Sequence, residues 1–159
     1  MKKKTRRREF EKKMAEYRRF LKDDFDWDYA YILRLLQFKL ARTRRCILAN
    51  KIVVSAKKIG AQIREVEILL GRVQQDRYFE EISKGFQKKY GRSRIVELPR
   101  EKGMRGIPIT IRYQRETPKN SGRIHREFTK LFNQAERMKA RDLKKAFGLM
   151  GKNVWGWWD

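Results

Sequence analysis

Cysteine, histidine and long apolar runs are nearly absent from this sequence. Cys46 is the only cysteine, so no disulfide bond can form within the chain, which fits a reducing compartment. We expect its thiol to be buried and structural. The longest apolar stretches are interrupted at Arg34, Lys39 and Lys51, and they fall short of the roughly 18 residues that cross a membrane. No apolar stretch follows the basic run at positions 1–8, so no secretory signal is expected.

Patterns typical of enzymes are also missing. His125 is the only histidine, so it has no second histidine with which to form a catalytic pair. The sequence has no metal-ligand spacing, no phosphate-binding glycine loop and no nucleophile motif. The aspartates at positions 23–28 could suggest a metal-assisted nuclease, but capping of the helix that follows accounts for them better. The sequence therefore predicts a protein that is not an enzyme and that needs no cofactor and no metal.

Acidic residues are scarce relative to basic ones. The 159 residues include 42 Lys and Arg but only 19 Asp and Glu, which leaves a formal net charge of +23. A folded protein with this surplus repels itself unless a polyanion or counterions neutralise it. Nucleic acid is such a polyanion, and the release of its counterions drives binding without any reading of base sequence. The charge therefore predicts that the partner is nucleic acid or a ribonucleoprotein.

Basic residues concentrate in two tracts. The first tract, from Tyr29 to Arg64, contains no acidic residue, and the second runs from Lys84 to Arg115. Together with the N-terminal basic run, we expect these tracts to contact phosphates through Arg42, Arg44, Arg45, Lys57, Lys58, Arg92, Arg94 and Arg105. Each tract also has a structural alternative. The first can be a solvated surface that acids elsewhere in the fold balance, and the second can protect an edge strand from aggregation.

Hydrophobic periodicity predicts a mostly helical chain. In several stretches apolar residues recur every three or four positions, which is the spacing of one helix face. Helices are predicted at 1–24, 27–49, 55–78, 79–90 and 123–151. The fourth of these could also continue the third. Asp24 or Asp26 is expected to cap the second helix, and Ser55 is expected to cap the third.

A β-hairpin is predicted between the fourth and fifth helices. Residues 94–98 form its first strand, and apolar residues alternate strictly with other residues at 107–113, which is the pattern of a second strand. Gly103 and Gly106 supply the turn between the strands. Pro108 cannot donate a ladder hydrogen bond, so the second strand is expected to lie at an edge or to be bulged there.

These elements place the chain in the α+β class, mostly α. We predict a helical domain with one β-hairpin and a long C-terminal helix. Residues 1–24 are expected to form a basic N-terminal helix or arm, and residues 25–159 are expected to form a single globular domain.

The tryptophans near the C-terminus form a cluster at positions 155, 157 and 158. We expect them to fold back as a lid on the core, because each ring buries a large apolar area. The alternative is that the rings stay exposed and stack on the bases of a nucleic acid.

Short motifs at both ends of the predicted globular domain are familiar. The letters FDWDY at 25–29 open the second helix, and the letters WWD at 157–159 follow the last helix. With the hairpin between them, these motifs resemble a family of small uncharacterised proteins encoded by tailed phages. The resemblance implies a phage origin, a mostly helical fold and a location in the cytoplasm of an infected bacterial host. It implies no activity.

Three functions stay open on these observations. The first, which we favour, is a non-enzymatic accessory protein that binds DNA or RNA through basic surfaces. The second is an inhibitor of a host defence nuclease complex of the CRISPR type, which acts by direct binding to an acidic protein face or to a nuclease–guide complex. The third is a virion or assembly component that contacts packaged DNA. The sequence does not distinguish DNA from RNA.

Overall fold

Four helices, a hairpin and a fifth helix follow one another in the predicted order. The computed structural model describes residues 2–22, 29–50, 53–100, 103 and 105–157. In these ranges the helices are α1 (Lys2–Leu21), α2 (Tyr29–Asn50), α3 (Ala56–Gln75), α4 (Tyr78–Tyr90) and α5 (Ser121–Asn153). The antiparallel strands are β1 (Ser93–Glu97) and β2 (Ile109–Tyr113), and α5 is followed by a 3₁₀ helix at Trp155–Trp157. The predicted α+β, mostly α fold with one hairpin and a long C-terminal helix is confirmed.

Helix α3 packs against both α2 and α5 and contributes most of the main core. The apolar residues at helical spacing on α3 become its buried face, as the periodicity predicts. Because these side chains leave water together, their burial is the main force that holds the three helices against one another. The buried residues of this core are Leu33, Leu40, Ile47, Val53, Ile59, Ile63, Val66, Leu69, Leu70, Val73, Ala146 and Trp157.

A second, smaller core joins the hairpin to the helices. Phe86 and Tyr90 from α4, Tyr113 from β2 and Ile124 from α5 are buried together. The ring of Phe86 meets the edge of Tyr113 with centroids 5.1 Å apart. Helix α5 is 33 residues long, so it reaches from this cluster to the main core and connects the two. The base of the hairpin is therefore anchored to the helical part of the molecule.

The junction between α3 and α4 differs from the prediction, which extended the third helix to position 78. Helix α3 ends at Gln75 because Asp76 adopts a left-handed conformation with φ of 48°, which aspartate tolerates better than most residues. Tyr78 then starts α4, and its hydroxyl donates a hydrogen bond of 3.1 Å to the buried carboxylate of Asp142 on α5. Burial, together with this hydrogen bond, raises the pKa of Tyr78 to about 12. Arg72 on α3 completes the junction with an ion pair of 2.9 Å to Asp142.

The C-terminal tryptophans do not behave as one lid. Trp157 is 3% exposed and belongs to the main core, so the lid is confirmed for this residue. Trp155 is 84% exposed, and the lid prediction is wrong for it. The two residues lie two positions apart in a 3₁₀ helix, which has about three residues per turn, so their side chains leave the helix in different directions. Trp158 lies outside the described residues.

Two further expectations are corrected. Cys46 is exposed, so the buried thiol is wrong: it is Ile47, the next residue along α2, that faces the core. Ser55 precedes α3, but its side chain makes no capping hydrogen bond, and its φ and ψ of −89° and 24° are not those of a usual cap. The predicted caps Asp24 and Asp26 lie outside the described residues.

Candidate nucleic-acid interface

Helix α1 packs on α2 through aromatic rings near its C-terminal end. The rings of Phe20 and Phe38 stack with centroids 4.5 Å apart, and Tyr17 approaches the edge of Phe38 at 5.3 Å. The Tyr31 hydroxyl donates a hydrogen bond to the Phe20 carbonyl. Earlier residues of α1 thus meet later residues of α2, and the two helices run antiparallel. The N-terminal half of α1 consequently points toward the Asn50 end of α2.

The N-terminal half of α1 presents basic side chains to solvent. The ion pair described there joins Arg7 to Glu11 at 3.1 Å and lies within the helix itself. Phe10, the large apolar residue of this segment, is also exposed. The exposed basic residues of this segment, which we call the basic arm, are Arg6, Arg7, Arg8, Lys12 and Lys13.

An open groove of about 390 Å³ lies between α1 and α2. We call it the basic–aromatic groove, and its lining residues are Glu16, Arg19, Phe20, Arg34, Phe38 and Arg45. The Arg34 guanidinium lies 5.9 Å from the centre of the Phe20 ring and 5.2 Å from that of Tyr31, within the range of cation–π attraction. Arginines beside aromatic rings are the side chains that bind single-stranded nucleic acid through phosphates and bases.

Two of the arginines predicted to contact phosphates already have carboxylate partners. Arg42 on α2 forms an ion pair with Glu16 on α1, and its guanidinium lies 5.4 Å from the centre of the Tyr17 ring. Arg44 Nε lies 2.8 Å from Glu67 Oε1, and the Glu67 side chain on α3 is 3% exposed. Acids from neighbouring helices therefore balance part of the tract that has no acid in its own sequence. The phosphate contacts of Arg42 and Arg44 stay predictions, with intramolecular partners that compete for them.

The other predicted residues of the first tract face solvent. Arg45 on α2 and Lys57 and Lys58 in the first turn of α3 are all exposed. Cations in the first turn of a helix are unfavourable because the helix dipole is positive there. The first turn of α3 contains no acidic residue to offset this, so an anion near Lys57 and Lys58 would relieve the repulsion. These residues and the basic arm lie toward the same end of the helices.

The hairpin has two chemically different faces. Directly paired residues of an antiparallel ladder point to the same side, and Arg94 is paired with Arg112. Arg92 precedes β1 by one residue and continues that side, so we call these three arginines the basic face. On the opposite side Ile95 is paired with Ile111. Arg92 and Arg94 are both exposed, so the basic face is open to solvent.

The turn of the hairpin carries the last predicted residue. Gly103 and Gly106 have positive φ angles of 96° and 99°, which glycine adopts without steric cost, so the predicted role of these glycines in the turn is confirmed. Arg105 lies between them and is exposed. The ladder extends toward the turn, because the Leu98 amide donates to the Pro108 carbonyl at 2.7 Å. Arg105 is therefore held at the far end of the hairpin from its anchored base.

Glu116 fixes the base of the hairpin, and sequence reasoning missed it. Its nearly buried carboxylate accepts hydrogen bonds from the Ser121 hydroxyl at 2.7 Å, Arg112 Nη1 at 2.9 Å and the Tyr113 amide at 3.0 Å. Burial alone raises the pKa of this carboxyl, but those three hydrogen bonds outweigh burial and lower the pKa from 4.5 to about 2. The sequence pattern that could have identified Glu116 is an acidic residue close to the end of a predicted strand and five residues before a serine that starts a helix.

The basic face opens onto a cleft of about 680 Å³ at the base of the hairpin. Arg92, Arg94 and Arg112 line one side of this cleft, and Thr117 and Pro118 from the loop before α5 line the other. The structure therefore brings together the predicted Arg92 and Arg94 and adds Arg112. It places the predicted Arg45, Lys57 and Lys58 on the helices instead, and the two groups are separate basic surfaces.

No protein-family model, curated protein or solved structure matches this chain. Within the described residues, no group of three or more His, Cys, Asp or Glu side chains is placed to hold a metal ion. The aspartates at 23–28 lie outside those residues. None of the helices in the part of the chain that the structure describes is long and apolar enough to cross a membrane.

Proposed function

We propose that this protein binds nucleic acid, either free or within a ribonucleoprotein, and that it catalyses no reaction. The observation that carries the proposal is the pairing of Arg94 directly opposite Arg112, with Arg92 on the same face of the hairpin. Glu116 already pairs with Arg112 at 2.9 Å. Arg92 and Arg94 beside it are exposed and have no ion pair within the described residues, so they are the side chains that can pair with phosphates. A two-stranded ribbon also has the width to enter the major groove of duplex DNA.

The second basic surface supports the same function in a different way. The basic arm, Arg45, Lys57 and Lys58 lie toward one end of the helices, and none of them belongs to a core. Charges in this arrangement attract a phosphate backbone without reading its sequence. The basic–aromatic groove beside them adds rings on which a base could stack. A single nucleic acid that contacts both surfaces would bridge the basic face of the hairpin and the basic end of the helices.

Origin and location are part of the proposal. We propose that the protein comes from a tailed phage and acts in the cytoplasm of the infected bacterium, and the support for this is the pair of motifs at 25–29 and 157–159. An inhibitor of a host defence nuclease complex is the second candidate. The observation that favours it is the exposed apolar side of the hairpin, since phosphates make no use of such a surface.

The proposal is tested with the double variant Arg94→Glu and Arg105→Glu. Both side chains are exposed, so the fold should persist. The wild-type protein should bind random-sequence duplex DNA and RNA with a steep salt dependence, with a log–log slope of roughly −7 on DNA if about eight phosphates are neutralised. The variant should bind at least about tenfold more weakly and have a slope smaller by about 2. Fluorescence anisotropy over a series of salt concentrations measures both quantities.

The matched control is the double variant Arg137→Glu and Lys144→Glu. These exposed residues on α5 give the same change in net charge far from the hairpin turn in sequence. The control should lose much less affinity than the hairpin variant. Equal losses in the two variants would show that net charge alone drives binding and that the hairpin is not an interface. Absence of binding at low salt would refute the proposed function altogether.

A further inference from the structure

The side of the hairpin opposite the basic face is apolar and uncovered by the described part of the chain. Ile95 is 70% exposed, Ile109 is 60% exposed, and Ile111, the partner of Ile95 in the ladder, is 38% exposed. Ile107 continues this alternation toward the turn and is 60% exposed. We call these four isoleucines the apolar face. Glu97, the ladder partner of Ile109, is the acidic residue on this side of the strands.

The apolar face continues into a groove at the base of the hairpin. The groove has a volume of about 580 Å³ and is lined by Phe79, Phe86, Gln87, Arg92, Ser93, Ile111, Tyr113 and Phe128. The Phe128 ring packs against Phe79 at 5.2 Å and against Phe132 at 6.2 Å, and Phe132 is 47% exposed. Isoleucines, groove and Phe132 therefore form one continuous apolar strip. Arg92 is the charged residue among those lining the groove, and because it also lines the cleft of the basic face, it lies at the edge between the two sides.

An uncovered apolar strip of this kind has the character of a protein interface. Single exposed apolar residues are ordinary, but contiguous ones rimmed by polar residues mark sites where another surface is buried. The alternation at 107–113 makes these isoleucines share one side of the strand, yet no described helix packs over them. Folding of the described chain gains little from Ile95, Ile107 and Ile109, since these side chains remain largely in water.

Charge decides which partner fits. Binding of a second copy would bring together two molecules that each have a net charge of +23, and these would repel each other across the contact. Nucleic acid would find the pair of Arg94 and Arg112 on the other side of the ribbon and four isoleucines here. A protein segment with apolar side chains and an excess of carboxylates fits both the apolar face and the positive net charge. Its apolar side chains enter the groove, and its carboxylates are attracted by the positive charge of the molecule.

We propose that the apolar face and its groove dock an acidic amphipathic segment of another protein. The apolar side chains of the segment cover Ile95, Ile109 and Ile111 and fill the groove between α4 and α5, and a carboxylate of the segment pairs with Arg92. The proposal goes beyond nucleic-acid binding, since it uses the side of the hairpin opposite the pair of Arg94 and Arg112 and shares Arg92 with the basic face. The hairpin can then hold a nucleic acid and a protein at once, one on each side.

The test uses two synthetic peptides of identical composition. The first is an amphipathic helix with leucines at i, i+3, i+4 and i+7 on one side and glutamates on the other, and the second is the same residues in scrambled order. Because the two peptides have the same charge, the ratio of their affinities for the full-length protein isolates the apolar contact. The first peptide should bind at least about tenfold more tightly in calorimetric titrations. It should also shift the methyl signals of the hairpin isoleucines in NMR spectra.

Variants locate the contact. The double variant Ile95→Thr and Ile109→Thr keeps β-branched residues in the strands and should reduce the affinity ratio to about one. The matched control, Ile32→Thr and Ile68→Thr, removes two other exposed isoleucines from α2 and α3 and should keep the ratio. Circular dichroism of each variant checks that the fold persists. The variant Arg94→Glu and Arg105→Glu should keep the ratio while losing DNA, so failure of this proposal and failure of nucleic-acid binding are separable.

Several results would overturn the proposal. An affinity ratio near one for the wild-type protein, or a ratio that survives in the Ile95→Thr and Ile109→Thr variant, would show that the face does not bind such a segment. A tenfold loss of duplex DNA affinity in that variant would make the isoleucines part of the nucleic-acid contact instead. Dimerisation of the wild-type protein that the variant abolishes, measured by sedimentation equilibrium, would make a second copy the partner.

Discussion

Two nearly buried glutamates organise several of the basic side chains. Glu67 is shared by Arg44 and Arg64, whose guanidinium nitrogens lie 2.8 Å and 3.1 Å from its two oxygens. Glu116 holds Arg112 at 2.9 Å and ties the end of β2 to the start of α5. A buried carboxylate needs such partners, because an unpaired charge is costly away from water. Each acid therefore removes nearby arginines from the pool of free positive charge and uses them for folding.

We predict that Glu116→Gln makes the free energy of unfolding depend less on pH between about 4.5 and 2. The folded-state pKa of Glu116 is about 2, below its ordinary value of 4.5, so the ionised carboxylate stabilises the fold above pH 4.5. This contribution is lost as the pH falls from about 4.5 toward 2. The difference in free energy of unfolding between wild type and Glu116→Gln should be largest near neutral pH and should shrink through that window. Urea titrations at a series of pH values measure it.

Glu136→Gln is the control, because it makes the same substitution at an exposed glutamate on α5. Its effect should be small and independent of pH over the same window. If Glu116→Gln behaves like Glu136→Gln, the three hydrogen bonds do not hold an ionised carboxylate and the base of the hairpin is fixed in another way.

At the scale of elements, helix α5 and the 3₁₀ helix after it connect the parts of the fold. The N-terminal part of α5 packs with α4 and Tyr113 of β2, and its C-terminal part packs on α3. The 3₁₀ helix then returns Trp157 to the main core. Hairpin, α4 and the main core thus share one rigid element, so a disturbance at the C-terminal end of the chain reaches the core directly.

Trp157→Ala should lower the free energy of unfolding by about 3 to 5 kcal/mol, because it removes a large buried ring and leaves a cavity. Trp155→Ala is the control, since this exposed ring should contribute within about 0.5 kcal/mol. Chemical denaturation monitored by circular dichroism measures both. Equal effects of the two substitutions would contradict the different roles assigned to these tryptophans.

On the scale of the whole molecule, the positive charge is concentrated at separate surfaces rather than spread evenly. The basic arm, Arg45, Lys57 and Lys58 lie toward one end of the helices, and the arginines of the basic face lie on the hairpin. Acids occupy the contacts between elements, as in the pairs of Arg42 with Glu16 and Lys145 with Glu65. Arg42 and Lys145 therefore help to hold the fold together, whereas Arg45 and Arg94 are exposed to a partner. Arg112 lies on the basic face but is held by Glu116.

Deletion of residues 2–8 should weaken binding to random duplex DNA and leave the fold intact. This run contains six basic residues and no apolar one, so its loss removes charge but no core. The log–log salt slope should become shallower, and the thermal unfolding midpoint should stay unchanged. A large drop in the midpoint with an unchanged slope would show that the run serves folding and not binding.

Local sequence was sufficient for much of this fold. The apolar stripe of α3 and the alternation at 107–113 predict a helix and a strand because side-chain direction follows backbone period. The positive φ angles of Gly103 and Gly106 follow from the freedom of glycine. Such features depend on neighbours a few positions apart, so they can be inferred before any tertiary contact is known.

Contacts between distant elements could not be inferred in this way. Arg42 and Arg45 belong to the same basic tract, but a glutamate from another helix pairs with Arg42, whereas Arg45 faces a groove. Trp155 and Trp157 have similar neighbours, and only their placement relative to the core separates them. Alternation puts Ile109 on a shared side of the strand but does not say whether anything covers that side. Ion pairing and burial depend on distances through space, and these exist only once the helices and the hairpin have packed.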